Sequence, residues 1–303
     1  MSIRIFSAVS PAFFAKETCL PGVYTPPMQL AFLKMQGAGN QIVVVDQRTQ
    51  DLSPPSPSEL RRLGNAATGP GFDQLMWVGP ARDSAASASY RVFNTDGSEV
   101  EQCGNGVRCV AWMLARARDA DRTFTLESPA GLIEAIVLDD NQVAVSMGPP
   151  EFEPARIPFV AEELRDIYEL EVFRRSHEVS VLSMGNPHCV LLVDSIASAD
   201  VDRLGPAIER HERFPAETNV GFMCILDRQN IELRVYERGV GETLACGTGA
   251  CAAVVAGQRL GRLDEEVVVR LPGGQLVVSW RGGKEPVWLT GNAELISEGS
   301  FDL

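Results

Sequence analysis

From Met28 onward, short apolar runs rich in β-branched residues alternate with Gly- and Pro-containing breaks and a few stretches of helical spacing. QIVVVD (41–46) and CVLLVD (189–194) are apolar almost throughout and end on a turn-prone Asp, which predicts buried strands. The same pattern predicts strands at LMWVG (75–79), YRVF (90–93), AVSMG (144–148), IELRVY (231–236), EVVVRL (266–271) and LVVSW (276–280). SPSELRRLGNAA (56–67) has helical spacing: Ser56 or Ser58 can cap it, and Leu60 and Leu63 share a face.

The pattern occurs twice. RVFNTDGSEVEQCGNG (91–106) aligns without a gap on RVYERGVGETLACGTG (234–249), matching Arg, Val, an aromatic, Glu99 with Glu242, Cys103 with Cys246, and both glycines. Each copy runs on into a small and apolar helical segment, VRCVAWMLARA or ACAAVVAGQRL. Upstream, Gly39-Asn40 precedes QIVVVD, and Gly185-Asn186 precedes the strand ending at Asp194. The chain is therefore expected to be α+β, with two pseudo-symmetric homologous lobes. A helix apolar on most faces must be enclosed, so each lobe is expected to wrap a mostly antiparallel or mixed sheet around a central apolar helix. Residues 28–146 with 292–303 would form the first lobe and 147–291 the second. A doubly wound nucleotide-binding sheet fits less well, because Gly37-Ala38-Gly39 precedes a strand instead of opening a helix.

Composition narrows the chemistry. With 303 residues and 45% hydrophobic content, two sizeable cores can be filled. A net charge of -13 argues against a nucleic-acid partner, and no apolar run is long enough to predict a membrane span. Residues 1–27 carry only a weak echo of a signal peptide, broken by Pro11 and Lys16. They are expected to be a disordered extension or an early start, with Met28 beginning the folded chain. The seven cysteines form no C-x-x-C pair, which favours reduced thiols in a cytoplasmic protein. The three lysines, Lys16, Lys34 and Lys284, lie in no recognisable pyridoxal motif.

The repeated Cys-Gly-x-Gly carries the chemistry. In each lobe the thiol of Cys103 or Cys246 stands where a strand turns into a helix. The glycines beside it expose N–H groups at the positive end of the helix, which suits a carboxylate. The same dipole is expected to lower the pKa of each thiol. Two such ends facing each other would place a substrate α-carbon between two thiols. One thiolate would remove its proton while the opposite thiol delivers another, and the helix-end N–H groups would stabilise the charge on the carboxylate. Burial as ordinary core is the alternative for these two cysteines, and their matched positions speak against it. Cys109, Cys251, Cys189 and Cys224 are expected in the core. A zinc site from Cys103, Cys109, Cys246 and Cys251 would have poor ligand spacing.

Together these features resemble the diaminopimelate epimerase family. The resemblance runs from Met28 to the C-terminus through KMQGAGN (34–40), GFDQL (71–75), FNTDGSEVEQCGNGVRC (93–109), SMGNPHCV (183–190), HERFPAETNVGF (211–222) and YERGVGETLACGTGAC (236–251). It implies a cofactor-independent isomerase that interconverts LL- and meso-2,6-diaminopimelate, with Cys103 and Cys246 as its acid–base pair. It further implies that Gly104, Asn105, Gly247 and Thr248 seat the carboxylate at the reacting centre. Asn40, Gln74, Asn94, Asn186, Asn219, Glu237 and Arg238 would hold the rest of the substrate, and His188 and Glu237 would tune the thiols. A homodimer is a further implication. Three features depart from the family pattern: Gln41-Ile42 in place of Asp-Phe, Ser297 where a Tyr is usual, and the N-terminal extension. The nearest alternatives are a proline or hydroxyproline racemase, a phenazine-type isomerase, or a non-catalytic amino-acid binder.

Overall fold

The computed structural model describes residues 29–50, 52–100, 103–117, 121–129, 131–139 and 141–303; the expectations for residues 1–27 lie outside them. In the first lobe, β1 (Gln29–Gly37), β2 (Asn40–Asp46), α1 (Pro57–Gly64), β3 (Gln74–Gly79), β4 (Ala88–Asn94), β5 (Glu99–Val100), α2 (Gly104–Ala117), β6 (Thr123–Ser128), β7 (Gly131–Val137) and β8 (Gln142–Ser146) follow in order. The second lobe repeats the sequence of elements. Its members are β9 (Tyr168–Val172), β10 (Arg175–Ser183), β11 (Pro187–Leu192), α3 (Val201–Glu209), β12 (Asn219–Asp227), β13 (Asn230–Glu237), β14 (Gly241–Thr243), α4 (Gly247–Arg259), β15 (Glu266–Leu271), β16 (Gly274–Ser279) and β17 (Trp288–Asn292). The last strand, β18 (Glu294–Asp302), returns to pair with β1.

Strand pairing is equivalent in the two lobes. β1–β2 and β10–β11 are antiparallel, β2–β3 and β11–β12 parallel, β3–β4 and β12–β13 antiparallel. β4–β6 and β13–β15 are parallel, and each is followed by two antiparallel steps, to β8 and to β17. The lobes join through these corresponding last strands, since β8 and β17 pair antiparallel from Ser146↔Trp288 to Gln142↔Asn292. An ion pair repeats with the strands: Arg91 grips Glu99 at 2.7 and 2.6 Å, and Arg234 grips Glu242 at 2.6 and 2.6 Å, each through Nε and Nη2.

The apolar runs are explained by burial on both faces. In β2, Ile42 and Val44 point into the core around the central helices, while Val43 and Val45 pack outward with Leu60 and Leu63 of α1. In β11, Val190 points inward, while Cys189 and Leu191 meet Val201 and Ile208 of α3. The centre of the second lobe is α4, where every residue from Gly249 to Gly257 is buried. Ser56 caps α1 in a capping box with Glu59. CVLLVD is strand only as far as Leu192, and AVSMG only as far as Ser146, where the chain leaves the ladder.

Candidate active site

Cys246 is the residue before the first turn of α4, and the carbonyl of Cys246 accepts the Ala250 N–H at 2.9 Å. Cys103 is its counterpart on α2: its carbonyl accepts the Val107 N–H at 2.9 Å, and its Sγ accepts the Gly106 N–H at 3.3 Å. The glycines leave room for close packing at both helix starts. A Cβ on Gly106 would stand 2.3 Å from Met76 Sδ, and one on Gly249 would stand 3.0 Å from Val235 Cγ2. The two helix starts meet across one side chain, because Leu289 Cδ2 lies 3.1 Å from a Cβ position on Gly104 and 2.9 Å from one on Gly247.

Both helix starts open on a cleft of about 700 Å³ between the lobes. Its lining includes both thiols, Gly104, Asn105, Gly247 and Thr248, together with Asn40, Gln74, Asn94, Asn186, Asn219, Glu237 and Arg238. His188 is the exception. It is buried beneath the lining, with Nε2 2.9 Å from Asn186 Oδ1. Asn186 in turn donates to Thr248 Oγ1 at 3.4 Å, and Thr248 Oγ1 lies 3.6 Å from Cys246 Sγ.

The polar groups divide by what they already hold. Asn40 Oδ1 and Gln74 Oε1 are buried carbonyl oxygens without a hydrogen-bond partner among the described residues. Buried acceptors of this kind are suited to an ammonium. Gln74 donates to Asn94 Oδ1 at 3.2 Å, and Asn94 to Ser98 at 3.0 Å. Asn219 donates to the Pro187 carbonyl at 2.9 Å and accepts the Arg238 N–H at 3.0 Å, so it braces the turn that presents Arg238. Glu237 Oε1 accepts from Thr243 Oγ1 at 2.5 Å.

The electrostatics correct one expectation. Burial outweighs the helix-start N–H groups, so the Cys103 thiol is pushed up to about 11. The Cys246 thiol is raised too, by burial first and then by the neighbouring Glu237. Glu237 is itself raised by burial. His188 is pushed down to about 3, mainly because burial disfavours its cation and also because Arg238 is near, so it is a neutral ring. All six described cysteines are free, with Cys109 and Cys251 entirely enclosed. Among the described residues, no three His, Cys, Asp or Glu side chains are grouped as a metal site.

The fold also supplies lining residues that the sequence pattern did not single out. Arg156, in an ion pair with Glu151 at 2.8 Å, reaches the cleft from the loop after β8, as do Ile157 and Pro158. No motif marks that loop, and only the chain path brings it there. Leu289, beneath the cleft, was equally unmarked, and Arg108 lies within the 93–109 motif but was given no role there.

The fold is that of two-lobed amino-acid epimerases and related isomerases. A hydroxyproline epimerase from Agrobacterium vitis superposes with a TM-score of 0.66 at 18% identity, over 91% of this chain and 93% of its own. A phenazine biosynthesis protein from Bacillus anthracis superposes at 0.61 with 16% identity, over 91% and 100%. Within that fold the chain belongs to the diaminopimelate epimerase family, whose model matches residues 32–153 and 180–296. The diaminopimelate epimerases of Thioalkalivibrio sulfidiphilus and Laribacter hongkongensis are each 50% identical to it, over 91% of this chain and 100% of theirs.

Proposed function

We propose that this protein inverts one α-carbon of 2,6-diaminopimelate, interconverting the LL and meso forms by proton transfer between Cys103 and Cys246. The observation that carries the reading is the meeting of two thiol-bearing helix starts across Leu289 at one cleft. The reacting carboxylate sits between N–H groups of Gly104, Asn105, Gly247 and Thr248. One thiolate takes the α-proton, the C–H electrons spread onto the carboxylate held by those donors, and the opposite thiol delivers its own proton. Each turnover leaves the pair in swapped protonation states, ready for the reverse direction. The distal end is an amino acid too: Arg238 suits its carboxylate, and the free oxygens of Asn40 and Gln74 suit its ammonium.

The mechanism needs no cofactor. The free cysteines support a cytoplasmic location, and no described helix is long and apolar enough to cross a membrane. A homodimer belongs to the same reading; sedimentation at twice 32.9 kDa checks it.

The test is turnover in D₂O with LL-diaminopimelate. Deuterium should appear at the inverted carbon, and Cys103→Ala or Cys246→Ala should cut inversion by about 10²–10⁴-fold. No exchange with diaminopimelate, alongside exchange with proline or hydroxyproline, would overturn the substrate. Normal substrate binding by both variants, with no turnover by the parent chain, would leave a binding protein.

A further inference from the structure

Arg108, on the first turns of α2, is 0% exposed. Its Nη2 donates to Asn105 Oδ1 at 2.8 Å and its Nε to the Asn292 carbonyl at 3.2 Å, while Nη1 has no hydrogen-bond partner among the described residues. Among the described residues none of its partners is a carboxylate. The backbone makes room for it: a Cβ on Gly37 would stand 3.0 Å from Nη2, and one on Gly291 3.1 Å from Cζ. A guanidinium does not shed its charge in a protein, and a buried charge without a counter-ion is strongly unfavourable. The chain therefore keeps a positive charge beneath its own cleft, one that negative charge arriving nearby would relieve.

The repeat shows that this charge is not shared between the lobes. In the alignment of Cys103 with Cys246, Arg108 falls opposite Cys251, and Glu237 falls opposite Asn94. The first lobe thus has a buried cation where the second has a thiol, and a neutral amide where the second has a half-buried carboxylate.

On the reading of this cleft as the epimerase site, we propose that Arg108 is a positioning residue of the reaction: it seats Asn105 at the helix start and makes Cys103, not Cys246, the thiol that ionises first. The groups facing Cys103 are Arg108 and Cys109 on α2, Tyr90 on β4 and Glu237 on β13. Burial raises that thiol most; against it the Gly106 N–H and then Arg108 pull it downward, and Glu237 pushes it up more weakly than Arg108 lowers it. The groups facing Cys246 are Glu237, which raises it, and the Thr248 hydroxyl, which lowers it less. The two thiols of one pseudo-symmetric site therefore ionise at different pH, and the one that ionises first lies in the first lobe.

The experiment is alkylation of the intact, substrate-free chain with iodoacetamide across a pH series. Initial labelling at Cys103 and Cys246 is read separately by peptide mass spectrometry. Cys103 should label at a lower pH, by about one unit or more, the shift that corresponds to a tenfold preference. Arg108→Met should move the Cys103 profile upward by a similar amount and leave that of Cys246 in place. Arg108→Lys, which keeps the charge, should restore it. Loss of packing alone would lower Tm without moving one thiol against the other. Cys246 labelling first overturns the proposal, as does a folded Arg108→Met with an unmoved Cys103 profile. If the Met variant does not fold, Arg108→Lys decides: a Cys103 profile displaced to that of Cys246 counts against it. Labelling needs no turnover, so correct thiol order in a chain inactive on diaminopimelate would overturn the substrate reading and leave this one standing.

Discussion

At the scale of single residues, charge and exposure depart most from what a motif suggests. A cysteine at a helix start suggests a lowered pKa, but enclosure raises both thiols here. Desolvation acts on the full charge of the thiolate, whereas the helix end offers only partial charges. His188 shows the same contest. Burial holds it neutral, so protonation opposes folding, and the stability it contributes is whole above its ordinary pKa of 6.5 and declines as pH falls toward about 3. Replacing it with Gln removes the titration and keeps an N–H for Asn186. The Tm of the parent should therefore drop more between pH 7 and pH 4 than that of His188→Gln; parallel curves would show that the ring does not titrate in this way. Cys103, Cys246 and the asparagines were legible in the sequence because they sit in long motifs. That Asn219 is spent on bracing Arg238, and that His188 lies behind Asn186, was not legible, because hydrogen-bond partners are chosen across strands.

At the scale of elements, periodicity did most of the work. The apolar run within QIVVVD announces a strand buried on both faces, and α4 announces a helix apolar all round, because every residue from Gly249 to Gly257 is buried. Turns are harder to see. The β9–β10 hairpin passes through Phe173 and Arg174 at φ 54° and 60°, the left-handed region, with neither Gly nor Asn to announce it. An L-residue there costs about 1–2 kcal/mol. Arg174→Gly should therefore raise stability by about 1 kcal/mol, measured by urea unfolding; an unchanged midpoint would show that the turn is not strained. In the β1–β2 hairpin, Ala38 and Gly39 do the same at φ 51° and 81° and bring Asn40 to the cleft.

At the scale of the whole molecule, the decisive feature is the seam between β8 and β17. It joins two equivalent sheets at equivalent strands, and Leu289 in that seam touches both helix starts. Leu289→Ala should cost about 2–5 kcal/mol, as deletion of a fully buried Leu does, and should impair inversion more than folding, because it loosens the spacing of the two thiols. Urea unfolding and turnover on one preparation separate the two effects; full activity in a destabilised variant would show that the seam does not set the thiol geometry. The sequence by itself determined the repeat, the most apolar strands, the helices α1, α2 and α4, the paired thiols and the family, since each is written in local spacing or in residues matched along the chain. Only the tertiary structure decided that the two helix starts meet at one methyl group, that Arg156 reaches the cleft, and that Arg108 is buried beneath the cleft while Glu237 lines it. Those facts depend on distances between residues far apart in the chain and on the exclusion of water, which no local pattern records.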